Sequence, residues 1–366
     1  MENPSYQPTG GKFSGQQIRK YLGEFRQTFF AYAADSACRQ KAASSGTISA
    51  LLAFLLERAR IDGALVCRSE ILEGRVRPRF FVARTGAEVM AAQGSKYIAV
   101  DFNRDALPLI RQFEGRLAVV ALPCDTGILR RICQRDKDLA SKVALVITLF
   151  CGHNSRTELT DMVLDKISPP GARLTAFAYR QGHWRGSLRA EFTDGHIAHK
   201  PFSVFSNYQN LYFFCQQKCH HCHDHAGYGS DLSAGDIWSA RMKKEPIKHN
   251  AVIIRTETGQ DLFQEAIDAG ILSAYPVPPA VICAGQARTM PFHYNVSARA
   301  KAGRLLGMSI KDSVFEQVRW NDFLVAYMAL ANEKFSRYAR GQRVIRRLPQ
   351  ALLRLYLLVM KGLESI

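Results

Sequence analysis

The sequence predicts an α/β fold with α+β elements, in which sheets and helices form layers around a core. Hydrophobic residues make up 47% of the 366 residues and charged residues 22%, which are ordinary values for a globular protein with a real core. Short apolar runs that are typical of buried strands alternate with stretches of helical periodicity. This strand–helix–strand alternation is typical of layered α/β architectures.

Apolar periodicity and turn residues predict the elements in order. Residues 1–35 are expected to form a loosely ordered lead-in followed by a helix. Apolar runs predict strands over 64–67, 79–84, 117–122, 143–150 and 250–256. Helical spacing predicts helices over 48–56, 86–93, 107–113, 157–166 and 259–270. Strand alternation over 174–200, with a turn at Asp194-Gly195, predicts a hairpin. Ser44 or Ser45 and Asp125 are the predicted caps of two helices.

The balance of charge restricts the classes of partner. The net charge of +17, with a pI near 9.6, favours acidic partners such as nucleic acid, an anionic membrane surface or an anionic cofactor. We expect no nucleic-acid partner, because no zinc-finger, RNA-recognition or basic-zipper pattern is present. The chain opens without an apolar leader, and its longest apolar runs fall short of the roughly 18 residues that span a bilayer. A cytoplasmic protein, soluble or peripheral at the inner face of the membrane, is therefore expected.

Three of the nine cysteines are clustered in the run Cys215-Gln-Gln-Lys-Cys219-His-His-Cys222. In a reducing cytoplasm, clustered cysteines bind metal more often than they form disulfides. This spacing places three thiolates in one loop, and thiolates are the usual ligands of iron–sulfur clusters. A fourth ligand is then required. Cys124 and Cys151 are candidates, because each follows a predicted strand at the end where α/β folds place their sites.

Three other interpretations of the cysteine run stay open. Zinc is one, because His220, His221, His223 and His225 interleave with the cysteines. The same spacing is the ligand triplet of radical enzymes that cleave S-adenosylmethionine. In those enzymes the triplet lies early in a barrel and an aromatic residue precedes the last cysteine, whereas this chain has His221 there. Chance clustering without a metal is the third interpretation.

Two loops are candidate anion-binding sites. Ala43-Ser44-Ser45-Gly46-Thr47 begins a predicted helix, whose free N–H groups and positive dipole end favour an anion. Gly94-Ser95-Lys96-Tyr97 offers a lysine and a ring that can stack on a flat cofactor. An ordinary capped helix start and an ordinary turn with a solvated lysine are the simpler alternatives.

The C-terminal tail is helical and basic. Between Lys334 and Lys361 the chain has eight Lys or Arg residues and no Asp or Glu. Leucines at 352, 353, 355, 357 and 358 give the last predicted helix its apolar character. This pattern suits docking on an anionic membrane surface. It also suits binding in the groove of a partner protein or packing against the core.

The ordered set of motifs resembles the beta subunits of coenzyme F420 hydrogenase and dehydrogenase, together with the related 7-hydroxymethyl chlorophyll a reductases. The resemblance covers roughly residues 38–290. The matching motifs, besides the cysteine run with Asp224, are Ala43 to Gly46, Ile61-Asp62-Gly63, Gly94 to Tyr97, Leu122-Pro123-Cys124, Phe150-Cys151-Gly152-His153, Tyr179-Arg180, Trp184-Arg185-Gly186 and Ala234-Gly235-Asp236-Ile237-Trp238.

The resemblance implies an oxidoreductase in which FAD is held against a 4Fe–4S cluster, so that electrons pass singly through the cluster and the flavin collects two. By this resemblance the flavin site is lined by Ser44, Ser45, Gly46, Thr47, Gly94, Ser95, Lys96 and Tyr97. The cluster ligands would be Cys215, Cys219 and Cys222, with Cys124 or Cys151. His153 is the candidate proton donor to reduced flavin or substrate, although a lone histidine is more often structural.

Two departures from the family pattern affect the expected function. Thr47 stands where members often have a second glycine, so the backbone there is less free. Many relatives carry an amino-terminal ferredoxin domain, but residues 1–37 contain no cysteine. We therefore expect an external ferredoxin or another electron-transfer protein as partner.

Relatives of this kind often belong to exopolysaccharide gene sets, which makes a sugar or polymer substrate an option. A non-catalytic scaffold that docks through the basic tail is the alternative function.

Four segments are expected from these patterns. They are a lead-in at 1–37, an N-terminal family domain with the flavin phosphate loops at 38–115, a C-terminal family domain with the cluster cysteines at 116–290, and the basic helical tail at 291–366.

Asp231 and Asp236 are expected to cap or brace the cluster loop. Arg180 and Trp184 are expected to bind an anionic or flat ligand, or to lie in a surface hairpin.

Overall fold

The computed structural model describes residues 13–182, 186–239 and 242–365. Its strands, in chain order, are β1 Gln27–Ala33, β2 Gly63–Leu72, β3 Arg75–Ala83, β4 Leu117–Ala121, β5 Val143–Leu149, β6 Leu174–Gln181, β7 Ser187–Phe192, β8 Ile197–Pro201, β9 Leu232–Asp236, β10 Asn250–Ile254 and β11 Leu272–Pro276. Eight of these strands form one mixed sheet in the order β11-β1-β10-β9-β5-β4-β2-β3, and β6, β7 and β8 form a second, antiparallel sheet.

The helices, in chain order, are α1 Gly15–Leu22, α2 Ser36–Lys41, α3 Thr47–Glu57, α4 Gly86–Ala91, α5 Leu107–Gln112, α6 Pro123–Arg135, α7 Lys137–Lys142, α8 Thr157–Ile167, α9 Ser203–Asn210, α10 Glu257–Asp268, α11 Pro279–Gly285, α12 Thr289–Tyr294, α13 Val296–Leu305, α14 Trp320–Phe335, α15 Ala339–Arg347 and α16 Gln350–Glu364. Within the described residues, none of these helices combines the length and the apolar character needed to cross a bilayer.

The centre of the large sheet is parallel. Strands β2, β4, β5 and β9 pair in parallel, whereas β3, β10, β1 and β11 extend the sheet antiparallel on its two sides. Parallel strands are covered on both faces and therefore contain nearly continuous apolar runs, as β4 and β5 do. The carboxyl ends of β4, β5 and β9 consequently lie beside one another at a single edge of the sheet.

Helices cover both faces of this sheet. On one face, Leu51 and Leu55 of α3 and Phe263 of α10 pack against Ala118 and Ile147. On the other face, Ile110 of α5 and Leu129 of α6 pack with side chains that point the opposite way from β4 and β5, such as Val119 and Val146. The predicted α/β fold class is therefore confirmed.

A second core joins the small sheet to the C-terminal helices. Phe205 and Tyr208 of α9 are fully buried in it, together with Phe214. Leu357 and Met360 of α16 pack into the same core. The last helix is thus integrated into the structure through one of its faces.

Three local predictions were wrong. Residues 27–33 form β1, which pairs with both β10 and β11, because the run QTFFAYA buries Phe30 and Ala31 completely. The start of α3 has no side-chain cap: the residue before Thr47 is Gly46, whose φ of 77° is in the left-handed region. Asp125 does not cap α6, because that helix begins at Pro123 and Asp125 lies in its first turn.

Candidate active site

A cavity of about 700 Å³ lies where the parallel strands end. Ala121, Leu149 and Asp236, the last residues of β4, β5 and β9, all line it. Open α/β sheets bind their ligands outside the carboxyl ends of their strands. The volume falls within the range of roughly 300–1,000 Å³ that is usual for cofactor and small-molecule sites.

Both loops that the sequence singled out reach this cavity. Ser44, Gly46 and Thr47 line it, and so does the whole segment from Gly94 to Tyr97. Ser45 does not line it, since its side chain is fully buried on the other side of the loop. The cavity therefore brings together seven of the eight residues predicted to hold the flavin.

Gly46 is required at its position by packing. Its φ of 77° disfavours any side chain, and a Cβ placed there would lie 2.9 Å from the Sγ of Cys38 and 3.3 Å from the Cβ of Ala33. Only glycine allows the start of α3 to press against α2 and the end of β1. The contacts with Cys38 and Ala33 therefore explain this glycine without a ligand.

Asn250, to which no sequence motif pointed, joins the first loop to the sheet. Its Nδ2 donates to the Oγ of Ser44 and to the carbonyl of Gly235, each over 3.1 Å. Its Oδ1 is within hydrogen-bond distance of the Oγ of Ser45. That hydroxyl also lies 2.7 Å from the Oγ1 of Thr47. The only feature of the sequence that indicated this role was a polar residue at the start of the otherwise apolar strand β10.

Lys96 is held by backbone carbonyls. Its ammonium group donates to the carbonyls of Gln93 over 3.3 Å and Gly94 over 2.9 Å, and also to that of Ala92. These groups follow α4, so Lys96 satisfies the carbonyls that the helix end leaves unpaired. Burial lowers the pKa of Lys96 to about 8, and the sulfur of Cys67 opposes this change. The predicted alternative of a solvated lysine is therefore wrong.

Tyr97 and Arg180 are fixed in an aromatic wall. The ring of Tyr97 contacts those of Tyr179 at 5.2 Å and Phe202 at 5.5 Å between centroids. The Arg180 guanidinium pairs with Asp236 and lies 5.0 Å from the centroid of the Trp238 ring. Arg180 lies near the end of β6, which pairs with β7, but it is only 5% exposed and lines the cavity, so it is not at the surface of this hairpin. Trp184 lies outside the described residues.

The cysteine loop lies against the ends of β4 and β5. Cys219 belongs to a single helical turn at Gln217–His221, and its Sγ accepts a hydrogen bond from the backbone N–H of Asn154 over 3.4 Å. Cys124 lies in the first turn of α6, just after β4, and Cys151 follows β5, the parallel neighbour of β4. The pairing of the two strands therefore brings two cysteines that are distant in sequence to the same edge as the loop.

The electrostatic neighbours of each thiol show which cysteines lie together. Burial raises the pKa of Cys151 well above its usual value, and Cys219, Cys124 and Cys222 raise it further. Burial also raises the pKa of Cys124, with Cys222 and Cys219 among the further causes. The thiol neighbour of Cys215 is Cys219, whose pKa is lowered by the hydrogen bond from Cys215. Four thiols are thus mutual neighbours, and Cys215 lies beside one of them.

No three His, Cys, Asp or Glu side chains in the described part of the chain are grouped as the ligands of one metal ion would be. The four neighbouring thiols are therefore not arranged as the ligands of a single ion. A cubane cluster bonds each thiolate to a different iron atom, so its ligands stand further apart than those of one ion.

A buried arginine and an aspartate shape the cysteine loop. Arg299 is 1% exposed, and its guanidinium donates to the carbonyls of His220 over 2.9 Å and Cys222 over 2.7 Å. Asp224 accepts from the backbone N–H groups of Gly227 over 2.6 Å and Tyr228 over 2.9 Å. Arg299 was not predicted, because a basic residue in a predicted tail helix looks no different from a solvated one.

The predicted bracing of this loop by the two later aspartates does not occur. Asp231 accepts from the backbone N–H of Val146 over 2.7 Å and from the Oγ1 of Thr256 over 3.0 Å, so it joins β5 to the start of α10. Asp236 instead belongs to the cavity wall through its ion pair with Arg180.

His153 lines the cavity and stacks on Tyr212. The two ring centroids are 4.3 Å apart. Burial lowers the pKa of His153 to about 4, so the ring is neutral at pH 7. Its Nε2 is buried and has no hydrogen-bond partner among the described residues. A neutral imidazole with a free ring nitrogen can donate or accept one hydrogen bond, but it is not a reservoir of acidic protons.

The C-terminal helix contributes to the same cavity. Lys361 and Glu364 of α16 line it, beside Arg288 from the segment between α11 and α12. The Nε of Arg288 lies 2.6 Å from a carboxylate oxygen of Glu364. The sequence-based expectation was a tail separate from the site, because the leucine pattern does not indicate which neighbour the helix packs on.

Two family profiles match the chain and together cover more than half of it. The profile for the N-terminal part of the coenzyme F420 hydrogenase/dehydrogenase beta subunit matches residues 28–104. The profile for the C-terminal part of the same beta subunit matches residues 114–280. Residues 281–366, which include the whole tail, lie outside both matches.

Individual relatives are similar over much of their length. The chain is 26% identical over 266 residues to the coenzyme F420 hydrogenase subunit beta of Methanothermobacter thermautotrophicus, covering 70% of this chain and 86% of that protein. It is 24% identical over 259 residues to the coenzyme F420-dependent sulfite reductase of Methanocaldococcus jannaschii, covering 66% of this chain and 38% of that protein. It is 22% identical over 259 residues to the 7-hydroxymethyl chlorophyll a reductase of Oryza sativa subsp. japonica, covering 70% and 52% respectively.

One solved structure shares the fold. A chain of the F420-reducing NiFe hydrogenase complex from Methanosarcina barkeri superposes with a TM-score of 0.60 at 20% identity, covering 80% of this chain and 97% of that chain. The sequence matches and the sheet order with its cysteine-lined edge lead to one conclusion. This chain is a member of the coenzyme F420 hydrogenase/dehydrogenase beta subunit family and an oxidoreductase with a role in electron transfer.

Proposed function

We propose that this oxidoreductase uses FAD and a 4Fe–4S cluster to pass electrons between an external protein donor and a substrate bound in the cavity. The single observation that carries the proposal is the position of Cys151. This residue lines the cavity, and its thiol also neighbours those of Cys219, Cys124 and Cys222. A cluster held there would lie next to whatever the cavity binds, as electron transfer between the two requires.

The donor set fits a 4Fe–4S cluster. Cys124, Cys151, Cys219 and Cys222 are four mutually neighbouring thiols, and four thiolates are what such a cluster takes. We assign these four as ligands and place Cys215 outside the set, which replaces the sequence-based choice of Cys215 with one of Cys124 and Cys151. Burial raises the pKa of Cys124, Cys151 and Cys222, and coordination by iron would deprotonate these thiols. The N–H of Asn154 would then donate to a ligating sulfur.

The cavity fits a flavin. Seven of the eight predicted loop residues line it, and the start of α3 at Thr47 lies on the cavity. The stacked pair of Arg180 and Trp238 forms a flat wall. A bound flavin would supply two-electron chemistry beside a one-electron cluster. His153 lines this cavity, and its buried Nε2 has no hydrogen-bond partner among the described residues.

We assign His153 to orientation and hydrogen bonding within the cavity. Because it is neutral at pH 7, it would hold a substrate or flavin atom through one hydrogen bond and would accept a proton more readily than it would supply one. Its stacking on Tyr212 fixes the plane of the ring. We therefore propose a hydrogen-bonding role for His153 in place of the proton-donor role that the sequence analysis expected.

The electron donor and the substrate are proposed by chemical class. The donor is a ferredoxin or another electron-transfer protein in the cytoplasm. The substrate is a small molecule, and a sugar or polymer precursor remains our candidate. The segments 38–115 and 116–290 are proposed as the flavin-loop and cluster domains. In the fold they contribute strands to one sheet, so they would act as one unit.

Anaerobic purification tests the proposal. We expect a flavin absorbance band and about four irons and four sulfides per chain. A matched Cys133→Ser variant, altered at a thiol outside the four-cysteine set, should keep both. A colourless protein that holds one zinc ion, or a flavoprotein without iron, would contradict the assignment.

The outer face of α16 favours a second, compatible role at a membrane. Leu352, Leu355, Leu358 and Val359 are 52–63% exposed on this face. Arg343, Arg346, Arg347 and Arg354 are exposed on α15 and α16 close by in sequence. An apolar face flanked by cations is typical of peripheral docking on anionic lipid. The inner face of α16 packs on the core, so docking would not require the helix to detach.

A further inference from the structure

The end of α16 forms a charged wall of the cavity. Lys361 and Glu364 line the cavity next to Arg288, and the ring of Tyr212 lines it nearby. Burial is the main cause that raises the pKa of Tyr212, and Glu364 is the first of its electrostatic causes. Glu364 therefore lies near Tyr212, whose ring stacks on that of His153. Lys361 and Glu364 belong to the tail, outside the residues that the family profiles match.

The protein holds this end of the helix in place. Leu353, Leu357 and Met360 are buried in the second core. The Nδ2 of Asn321 donates to the carbonyl of Leu363 over 3.0 Å, directly before Glu364. These contacts position Lys361 and Glu364 at the cavity. A frayed chain end would not be fixed in this way.

The three charges are unbalanced in favour of cations. Arg288 and Lys361 carry one positive charge each, and Glu364 is the one acidic member of the three. The Glu364 side chain is 10% exposed. Burial raises its pKa to about 7, although Arg288 and Lys361 both oppose this change. Near neutral pH the carboxylate is therefore only partly ionised, so it pairs with Arg288 less strongly than a full negative charge would.

We propose that Arg288 and Lys361 form an anion-binding subsite for a phosphate or carboxylate group of the substrate, with Glu364 as an internal competitor that pairs with Arg288 in the free protein. An incoming anion would take the place of the Glu364 carboxylate at the guanidinium, which offers two parallel N–H groups to a planar or tetrahedral oxyanion. This inference rests on the proposed use of the cavity as the substrate site, and it adds the class of substrate.

Calorimetry on the holoprotein tests the subsite with three sugars of similar size. The probes are glucose 1-phosphate, glucuronate and neutral glucose, titrated at pH 7. We expect one or both anionic sugars to bind and glucose not to bind. The anionic sugar that binds more tightly shows whether the subsite recognises a phosphate or a carboxylate group. Lys361→Met and Arg288→Met should each weaken binding about tenfold or more, the loss expected for one charge-assisted contact. Arg354→Met, on the exposed face of the same helix, is the matched control and should bind as wild type does.

Glu364→Gln separates competition from a structural role. If the carboxylate competes with the ligand, this variant should bind the anionic sugar more tightly than wild type. If Glu364 only supports the wall, binding should weaken instead, and that result would overturn the proposal. Absence of anion binding, or equal binding of glucose, would overturn it as well. Flavin and iron are assayed on the same samples, so a failure of the cofactor assignment would be seen separately.

Discussion

Arg299 donates a hydrogen bond from its Nη2 to the backbone carbonyl of Cys222 over 2.7 Å, although 77 residues separate them in the chain. The same guanidinium also donates to the carbonyls of Phe292 over 2.5 Å and His293 over 2.9 Å. A helix beyond the matched family region therefore fixes the backbone of the cysteine loop. The loop geometry depends on a residue that no cysteine spacing reveals.

Replacing Arg299 should disrupt the loop and the fold around it. In Arg299→Met, several buried carbonyls lose their donor, and each unsatisfied group costs about 1–3 kcal/mol. We expect the free energy of unfolding to fall by at least about 3 kcal/mol and the iron content to fall with it. Urea unfolding and an iron assay measure the two effects. Arg304→Met, at an exposed position of α13, serves as control and should match wild type.

The serine series of cysteine variants should identify the cluster ligands. Replacement of Cys124, Cys151, Cys219 or Cys222 by serine should each remove most of the iron, because each thiol is assigned to one iron atom. Cys215→Ser should keep the cluster, since its thiol lies beside that of Cys219 and outside the four-cysteine set. Iron and sulfide assays under anaerobic conditions give the result. If Cys215→Ser loses iron and Cys124→Ser or Cys151→Ser keeps it, the four-cysteine set is wrong.

Ser45 should matter for stability more than for flavin binding. Its hydroxyl lies 3.0 Å from the carbonyl of Ala31 and near the Oδ1 of Asn250, and it is fully buried. Ser45→Ala removes the one hydroxyl hydrogen that serves these acceptors, and a buried acceptor left unsatisfied costs about 1–3 kcal/mol. Chemical denaturation should show the loss. Ser49→Ala, at a half-buried position of α3 that lines the cavity, should unfold like wild type. Unchanged stability of Ser45→Ala would refute the proposed network.

Lys96 should give a recognisable pH dependence of stability. Its pKa is about 8 in the folded protein, below the ordinary value of 10.5, because burial disfavours the charge. Between these two values the unfolded chain binds the proton and the folded chain does not, so this contribution to the free energy of unfolding rises with pH. The difference between wild type and Lys96→Met should therefore grow in favour of wild type from pH 8 to pH 10. Parallel urea titrations measure it, with Lys41→Met, at an exposed lysine, as control; a constant difference would contradict the low pKa.

The exposed leucines of α16 should control membrane binding. Leu355 and Leu358 are 60% and 63% exposed. Changing both to Glu removes apolar contact and adds negative charge facing the lipid, so binding to vesicles rich in phosphatidylglycerol should be lost in a flotation assay. Leu72→Glu alters a leucine that is 53% exposed on another face and should leave binding unchanged. Equal flotation of the double variant and wild type would exclude this docking surface.

Local pattern was sufficient to predict most of the sheet. The runs at 117–122 and 143–150 become β4 and β5, because short, nearly continuous apolar runs rich in valine and isoleucine are typical of buried parallel strands. The helix and strand after residue 250 and the Asp194-Gly195 turn follow equally local rules. β1 was missed because its neighbours in the sheet, β10 and β11, lie more than 200 residues away. Nothing in the local sequence indicates such pairing.

The sequence by itself determined the α/β class, the family, and the residue types available for chemistry: a cysteine loop, two further cysteines after strands, and two loops suited to a cofactor. Only the tertiary structure decided which of these residues meet. Strand pairing put Cys124 beside Cys151, and packing turned Ser45 away from the cavity. It also brought Arg299 to the cysteine loop and Glu364 to Arg288. The physical reason is that periodicity reports which face of an element is buried, whereas partners far apart in the chain are selected by the packing of the whole core.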